Sequence, residues 1–316
     1  EPLPDGRRLV RRAALAFGTT MSIAAVHDDP VAALAAIGEA IEETRRIDAL
    51  MTVFRPGSEV SRLNAAGVLS RPDPHLVRVL EFSQRLSELS GGAFDVTVQP
   101  LWRLFAACAR ARRLPSRDDI ARARSLVGWT ALEVSHRRVA LGRPGMSITL
   151  NGVAQGYATD VASSILRERG LHDVLVDAGE YGAQGSRQPR QPWTVGIQHP
   201  RDPGALIGAV TMDGRFLATS GDYVAPFSAD HRYHHVFDPH TGVSPPRLSS
   251  VVVAAATGLV ADGLTKPMMV LEPARAQALL SRFIGAGAVW IGKDGRIVAS
   301  REMPLTHLPP QPAPPS

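Results

Sequence analysis

Helix-forming and strand-forming patterns are segregated along this chain, and that segregation limits the fold more than any single motif. Amphipathic helical stretches dominate from Asp29 to Gly170, and short β-like runs dominate afterwards. The later runs are VLVDAG, WTVGIQH, IGAVTM, RFLATS, YHHVFD and SVVVAAA. A helical turn near Val260, a helix from Pro273 to Ile284 and a hairpin of AVWIG and RIVAS follow. Strands and helices do not alternate strictly, so an α+β fold is expected rather than a doubly wound parallel sheet.

Within the first half, FGTTMSIAAVH reads as a strand, and Asp29-Pro30 opens a helix reaching Leu50. MTVFR reads as a short strand. A second helix starts at Asp73-Pro74, turns Leu76, Val79, Leu80, Leu86 and Leu89 inward, and stops at Gly91-Gly92. A third runs from about Ser116 to Gly128, and TALEVSHRRVAL reads as a strand or hairpin arm. From Gly152 to Arg169, Val153, Tyr157, Val161 and Ile165 form one helical stripe.

Charge narrows the function classes. Basic residues outnumber acidic ones 35 to 30, but only Lys266 and Lys293 are lysines and no basic run carries interleaved aromatics. A nucleic-acid partner is therefore not expected. The single cysteine, Cys108, rules out an internal disulfide and reads as a small buried residue. No apolar run approaches the roughly 18 residues of a membrane span. The expected organisation is a flexible arm over residues 1–15, one domain over 16–301, and a proline-rich disordered tail over 302–316.

Several stretches could carry chemistry. ITLNGVAQGYATD sets Gly152 and Gly156 at a helix opening, where free N–H groups would favour a phosphate; a tight turn explains the glycines equally well. In GGAFDVTVQPLW, Asp95 enters a strand and either receives a ligand hydroxyl or caps a turn. In SEVSRLN, a cap accounts for Ser58. VLVDAGEYGAQG ends in Asp177, Gly179 and Glu180, a meeting point for a ligand or a solvated turn. In VADGLTKPMM, Asp262 and Thr265 share a face if helical and could hold Mg²⁺.

HRYHHVFDPHTG crowds four of the ten histidines together. Their spacing does not match a zinc site. In a strand, His234 and His235 would face opposite ways, so one imidazole would serve a site as acid, base or phosphate donor. The others are expected at the surface, and Asp238-Pro239 fixes the turn.

In order, FGTTMS, SEVSRLN, GGAFDVTVQPLW, LNGVAQGYATD, LVDAGEYGAQG, ATSGDY, HHVFDPHTG and VADGLTK resemble the ApbE family of FAD:protein FMN transferases, from about Phe17 to Ile284. The resemblance is nearest to the NosX-like branch. It implies an α+β, ApbE-like (T-fold-like) architecture with helices packed on antiparallel sheets. It also implies a periplasmic enzyme that binds FAD with Mg²⁺ and transfers FMN to a threonine or serine hydroxyl of a partner protein, releasing AMP. For that branch the acceptor would be a NosR-like membrane protein serving nitrous oxide reduction.

Residue by residue, the resemblance puts Phe17, Glu59, Leu63 and Asn64 around the flavin. Ala93, Phe94, Asp95, Thr149, Gln155 and Gly179 would hold the cofactor, with Gln155 where lysine is common. His235 would meet the pyrophosphate as the catalytic residue. The Gly152 carbonyl, Asp262 and Thr265 would bind Mg²⁺. Lys266 stands where a ligand threonine is usual, and an ammonium cannot coordinate a metal. Pro267 biases Lys266 away from α geometry. Either Thr265 takes over as ligand, or Lys266 puts a fixed charge where the metal would sit. Two other activities fit the same residues: an FAD pyrophosphatase, or a non-catalytic FAD-binding accessory protein.

Overall fold

The computed structural model describes residues 1–307, organised by one eight-stranded sheet. Its strands are β1 (Arg8–Ala16), β2 (Thr19–His27), β3 (Asp173–Asp177), β4 (Tyr181–Gln184), β5 (Phe216–Gly221), β6 (Leu248–Ala255), β7 (Gly287–Gly292) and β8 (Ile297–Ala299). Neighbours follow chain order, and every pairing is antiparallel. All other elements except a short closing strand are therefore insertions between consecutive strands. The largest, between β2 and β3, holds six helices: α1 (Pro30–Met51), α2 (Glu59–Ala66), α3 (Pro74–Leu89), α4 (Gln99–Arg110), α5 (Arg117–Arg124) and α6 (Ala154–Glu168). The helices α7 (Gly258–Val270) and α8 (Pro273–Leu280) join β6 to β7. This is the expected α+β arrangement.

Both faces of the sheet are covered, which explains why β6 reads as one apolar run. Val251, Val253 and Ala255 pack with Tyr157 and Ala158 of α6 and Leu264 of α7. Val252 and Ala254 face the other way, onto Trp193, Val195 and Val210. Alternate side chains leave opposite faces of a strand, and here neither face meets water. Helix α1 starts where the sequence placed it: Asp29 Oδ1 accepts the amides of Val31 and Ala32 at 2.8 and 3.1 Å. Its buried stripe of Ala33, Ala36, Ile37, Ala40 and Ile41 lies against Met21, Ile23 and Ala25 of β2.

Four expectations need correction. Residues 8–16 are not a flexible arm; they pair in continuous register with β2, from Arg8 opposite His27 to Ala16 opposite Thr19. Their arginines mask the strand signal, as charge on an edge strand does. At the other end, Leu305–His307 pairs with residues 206–211, so the domain runs past 301. The rest of the expected tail, residues 308–316, lies outside the described residues. MTVFR forms no strand: Met51 closes α1, and a turn capped by Ser58 leads into α2. Asp95 enters a 3₁₀ turn and then α4, because it accepts the Thr97 amide and Pro100 suits the helix's first turn.

Candidate functional site

The start of α6, the middle of α7, the β3–β4 turn and the loop after β5 enclose a cavity of about 640 Å³. That size lies within the roughly 300–1,000 Å³ of small-molecule sites. Of the residues singled out from sequence, Phe17, Ala93, Phe94, Asp95 and Thr149 line it. So do Gly152, Gln155, Gly179 and His235, with Lys266 and Glu180 beside them.

Five others stand outside the lining. Leu63 is fully buried in the core. Glu59 accepts the Asp73 amide at 2.9 Å and pairs with Arg62. Asn64 clamps the backbone of Ile148, donating to its oxygen at 2.8 Å and accepting its amide at 2.7 Å. That clamp acts on the segment leading to Thr149, so Asn64 shapes the wall from behind. Asp262 and Thr265 lie directly behind Lys266 on α7, both buried.

The histidine stretch is a loop, not a strand, with one isolated bridge from Pro226 to His234. His234 is sealed: its amide donates to Ser244 Oγ at 2.8 Å, that hydroxyl donates back to the His234 oxygen at 2.7 Å, and its Nε2 lies 3.4 Å from the Pro245 oxygen. It is therefore a core residue, contrary to the surface role expected for it. The His235 backbone amide donates a hydrogen bond to the Ala225 oxygen at 3.1 Å, yet the ring Nδ1 has no protein partner. Burial, helped by His234 and Lys266, pushes its imidazole down to about 3, so the ring is neutral at neutral pH.

Asp95 lines the cavity and also caps the turn beside it. Its Oδ1 accepts the Thr97 amide and hydroxyl, each at 2.7 Å, and its Oδ2 accepts the Trp129 amide at 2.9 Å. Burial raises its carboxyl above the usual range despite these bonds. Gln155 packs against the Gly179 backbone, which is left-handed at φ 96°; a Cβ on Gly179 would stand 2.0 Å from the Gln155 amide nitrogen. This close approach requires the glycine.

The helix start is less open to anions than the glycines suggest. The Ala154 amide donates to the Leu150 oxygen at 2.9 Å, and the Gly156 amide donates to Asp262 Oδ2 at 3.1 Å. Reciprocally, Asp160 of α6 accepts the first amides of α7, from Gly258 and Leu259, at 2.5 and 2.9 Å. Burial raises Asp160 to about 6. Each helix thus caps the other. Gly156 and Gly258 let them do so, since a Cβ on Gly156 would stand 2.1 Å from the Gly258 oxygen.

The implied magnesium ligands do not fit a metal. Asp262 Oδ1 is bound by the Lys266 ammonium and Oδ2 by the Gly156 amide. Thr265 Oγ1 donates to the Asp262 oxygen at 2.7 Å and lies 2.8 Å from Ser220 Oγ. A Cβ on Gly152 would stand 2.8 Å from Lys266 Cε, so the lysine stem runs along that glycine. Contrary to expectation, Lys266 keeps helical geometry within α7 although Pro267 follows it. A helical proline's ring crowds the backbone four residues earlier, and here that residue is Gly263.

Sequence reasoning passed over Trp102 and Phe54, which meet edge to face at 6.0 Å and line the cavity. The signal for Trp102 was PLWRLF read as a helix, which would have placed Trp102 and Phe105 three residues apart on one face.

The sequence pattern of the ApbE family matches residues 17–290. An FAD:protein FMN transferase of Klebsiella pneumoniae is 33% identical over 261 residues, covering 78% of this chain and 74% of that protein. One from Escherichia coli is 31% identical with the same coverage. The apo flavinyl transferase ApbE of Pseudomonas stutzeri superposes with a TM-score of 0.81 at 30% identity, covering 94% of this chain and 96% of that one. The ApbE protein of Thermotoga maritima gives 0.82 at 27% identity, covering 93% and 97%.

Proposed function

The chain belongs to the ApbE family, and from that premise we propose that it takes FAD as substrate and transfers its FMN half to a threonine or serine hydroxyl of a partner protein. One observation carries this reading: a single cavity brings together aromatic rings, a neutral imidazole with an unpartnered nitrogen, and a lysine. The rings of Phe94 and Trp102 suit an isoalloxazine, and the polar wall of Gln155, His235 and Lys266 suits a pyrophosphate.

In the reaction, the acceptor oxygen bonds to the flavin-side phosphorus. The bond from that phosphorus to the bridging oxygen breaks, and AMP leaves with the bridging oxygen. His235, neutral and on the cavity wall, hydrogen-bonds the acceptor hydroxyl, whose proton leaves on the AMP phosphate. Alignment and charge stabilisation supply the remainder, as in other phosphoryl transfers. Magnesium, which the family likeness implies, takes no part in this scheme because its donors are engaged otherwise.

The finer reading is a periplasmic protein of the NosX-like branch, with a NosR-like electron-transfer protein of the nitrous oxide system as acceptor. The likeness of the LNGVAQGYATD and LVDAGEYGAQG stretches to that branch supports it. Among the described residues, no helix is long and apolar enough to cross a membrane.

The test incubates the protein with FAD and an acceptor fragment and weighs the fragment for covalently attached FMN. Transfer is expected, and His235→Ala should lower it strongly. Free FMN and AMP without acceptor would indicate a pyrophosphatase instead. Tight FAD binding without AMP release would indicate an accessory protein.

A further inference from the structure

Lys266 stands where the family likeness implies a metal-ligating threonine, and its geometry says what it does there instead. Its ammonium carries three donors. One goes to Asp262 Oδ1 and a second to the Asp262 backbone oxygen, 3.1 Å away. No third partner is present among the described residues, and the side chain lines the cavity. The two residues are four apart on α7, a spacing at which helical side chains meet. The lysine stem is further fixed along Gly152, where any side chain would collide with it.

We infer that Lys266 is a built-in, non-exchangeable cation that replaces a divalent metal and donates its remaining N–H to a non-bridging oxygen of the substrate pyrophosphate. This rests on the FAD reading above. It extends that reading by making the phosphate contact independent of any metal. The chemistry differs in kind from metal binding: a lysine offers a hydrogen-bonding point charge, and no chelator can remove it. The carboxylate that would anchor a metal orients the ammonium instead. Together the pair is neutral, whereas a divalent ion on the same carboxylate would leave one positive charge.

Two measurements test the inference, the first of them independently of the FAD reading. The first is Mn²⁺ binding followed by electron paramagnetic resonance on FAD-free protein. Wild type should leave the Mn²⁺ signal free, and Lys266→Thr should bind the ion; Mn²⁺ bound at this site in wild type overturns the inference. The second is equilibrium dialysis with FAD and with riboflavin, in chelator and in Mg²⁺. Wild-type FAD affinity should be the same in both media. Lys266→Met should lose about 10- to 100-fold in FAD affinity, the worth of one hydrogen bond to a charged group, and nothing for riboflavin.

Loss of FAD by wild type in chelator overturns the inference, and so does full FAD affinity in Lys266→Met. Failure of wild type to bind FAD in either medium sinks the proposed function, and the Mn²⁺ result then still decides whether Lys266 excludes the metal. Should Lys266→Met fail to fold by circular dichroism, the wild-type measurements and Lys266→Arg, which keeps the charge, decide.

Discussion

Two buried carboxylates sit on cations in this protein, and they are finished in opposite ways. Asp222 is 0% exposed and Asp262 is 1% exposed. Asp222 takes a two-pronged grip from Arg201, at 2.7 and 2.8 Å, with Lys293 at 3.3 Å. The cations there have further partners: Arg201 donates to Ser249 Oγ at 3.1 Å and Lys293 to the His231 oxygen at 2.8 Å. Asp262 holds one cation, which lines a cavity and has no third partner among the described residues. The adjacent histidines repeat the contrast, with His234 sealed and His235 left with a bare nitrogen. Burial and pairing alone therefore mark architecture; a leftover hydrogen-bonding group on a residue of the cavity wall marks a candidate for chemistry.

The largest expected effect tests the closed cluster. Asp222→Ala should lower stability by about 3 kcal/mol in a denaturant titration. That is the lower end for a broken buried pair, because Arg201 reaches solvent. Folded protein should bind FAD normally. A smaller loss follows for Asp262→Asn, about 1–2 kcal/mol, accompanied by weaker FAD binding in dialysis because Lys266 loses its guide. If the two variants exchanged these outcomes, the contrast would be wrong.

Next in size is acid sensitivity. The folded imidazole of His235 lies at about 3 against an ordinary 6.5, so the unfolded chain takes up the proton first. Its contribution is whole above pH 6.5 and is lost as the pH falls toward 3. His235→Gln should flatten that decline, measured by thermal melts across the window. His234→Gln should flatten it over 6.5 to about 4 while leaving FAD binding intact. Smallest of all, Arg85→Ala breaks an exposed pair with Glu88 and should melt like wild type.

Much of this was legible in the sequence. The caps at Asp29, Ser58, Asp73 and Ser116 are local hydrogen bonds, and short-range chemistry predicts them. The α+β class followed from the segregated periods. What sequence could not show depended on distant partners. β1 hides because only its pairing with β2 makes Arg8, Arg11 and Arg12 part of a strand. His234 and His235 differ through Ser244 and Ala225, nine or more residues away. Of the cofactor residues implied by resemblance, those beside Gly92 and on α6 reach the cavity, while those on α2 brace it. Lys266 was conspicuous from the start, but its spare donor emerged only once Asp262 was seen to occupy the other two.

The traded caps of α6 and α7 have a consequence for engineering. Asp160 on one helix and Asp262 on the other each complete a start that is not their own, across a glycine crossing with no room for a side chain. The two helix starts are therefore coupled, and a change that shifts residues 154–168 also disturbs residues 258–270. Loss of either acid would therefore loosen the start of the opposite helix, not of its own.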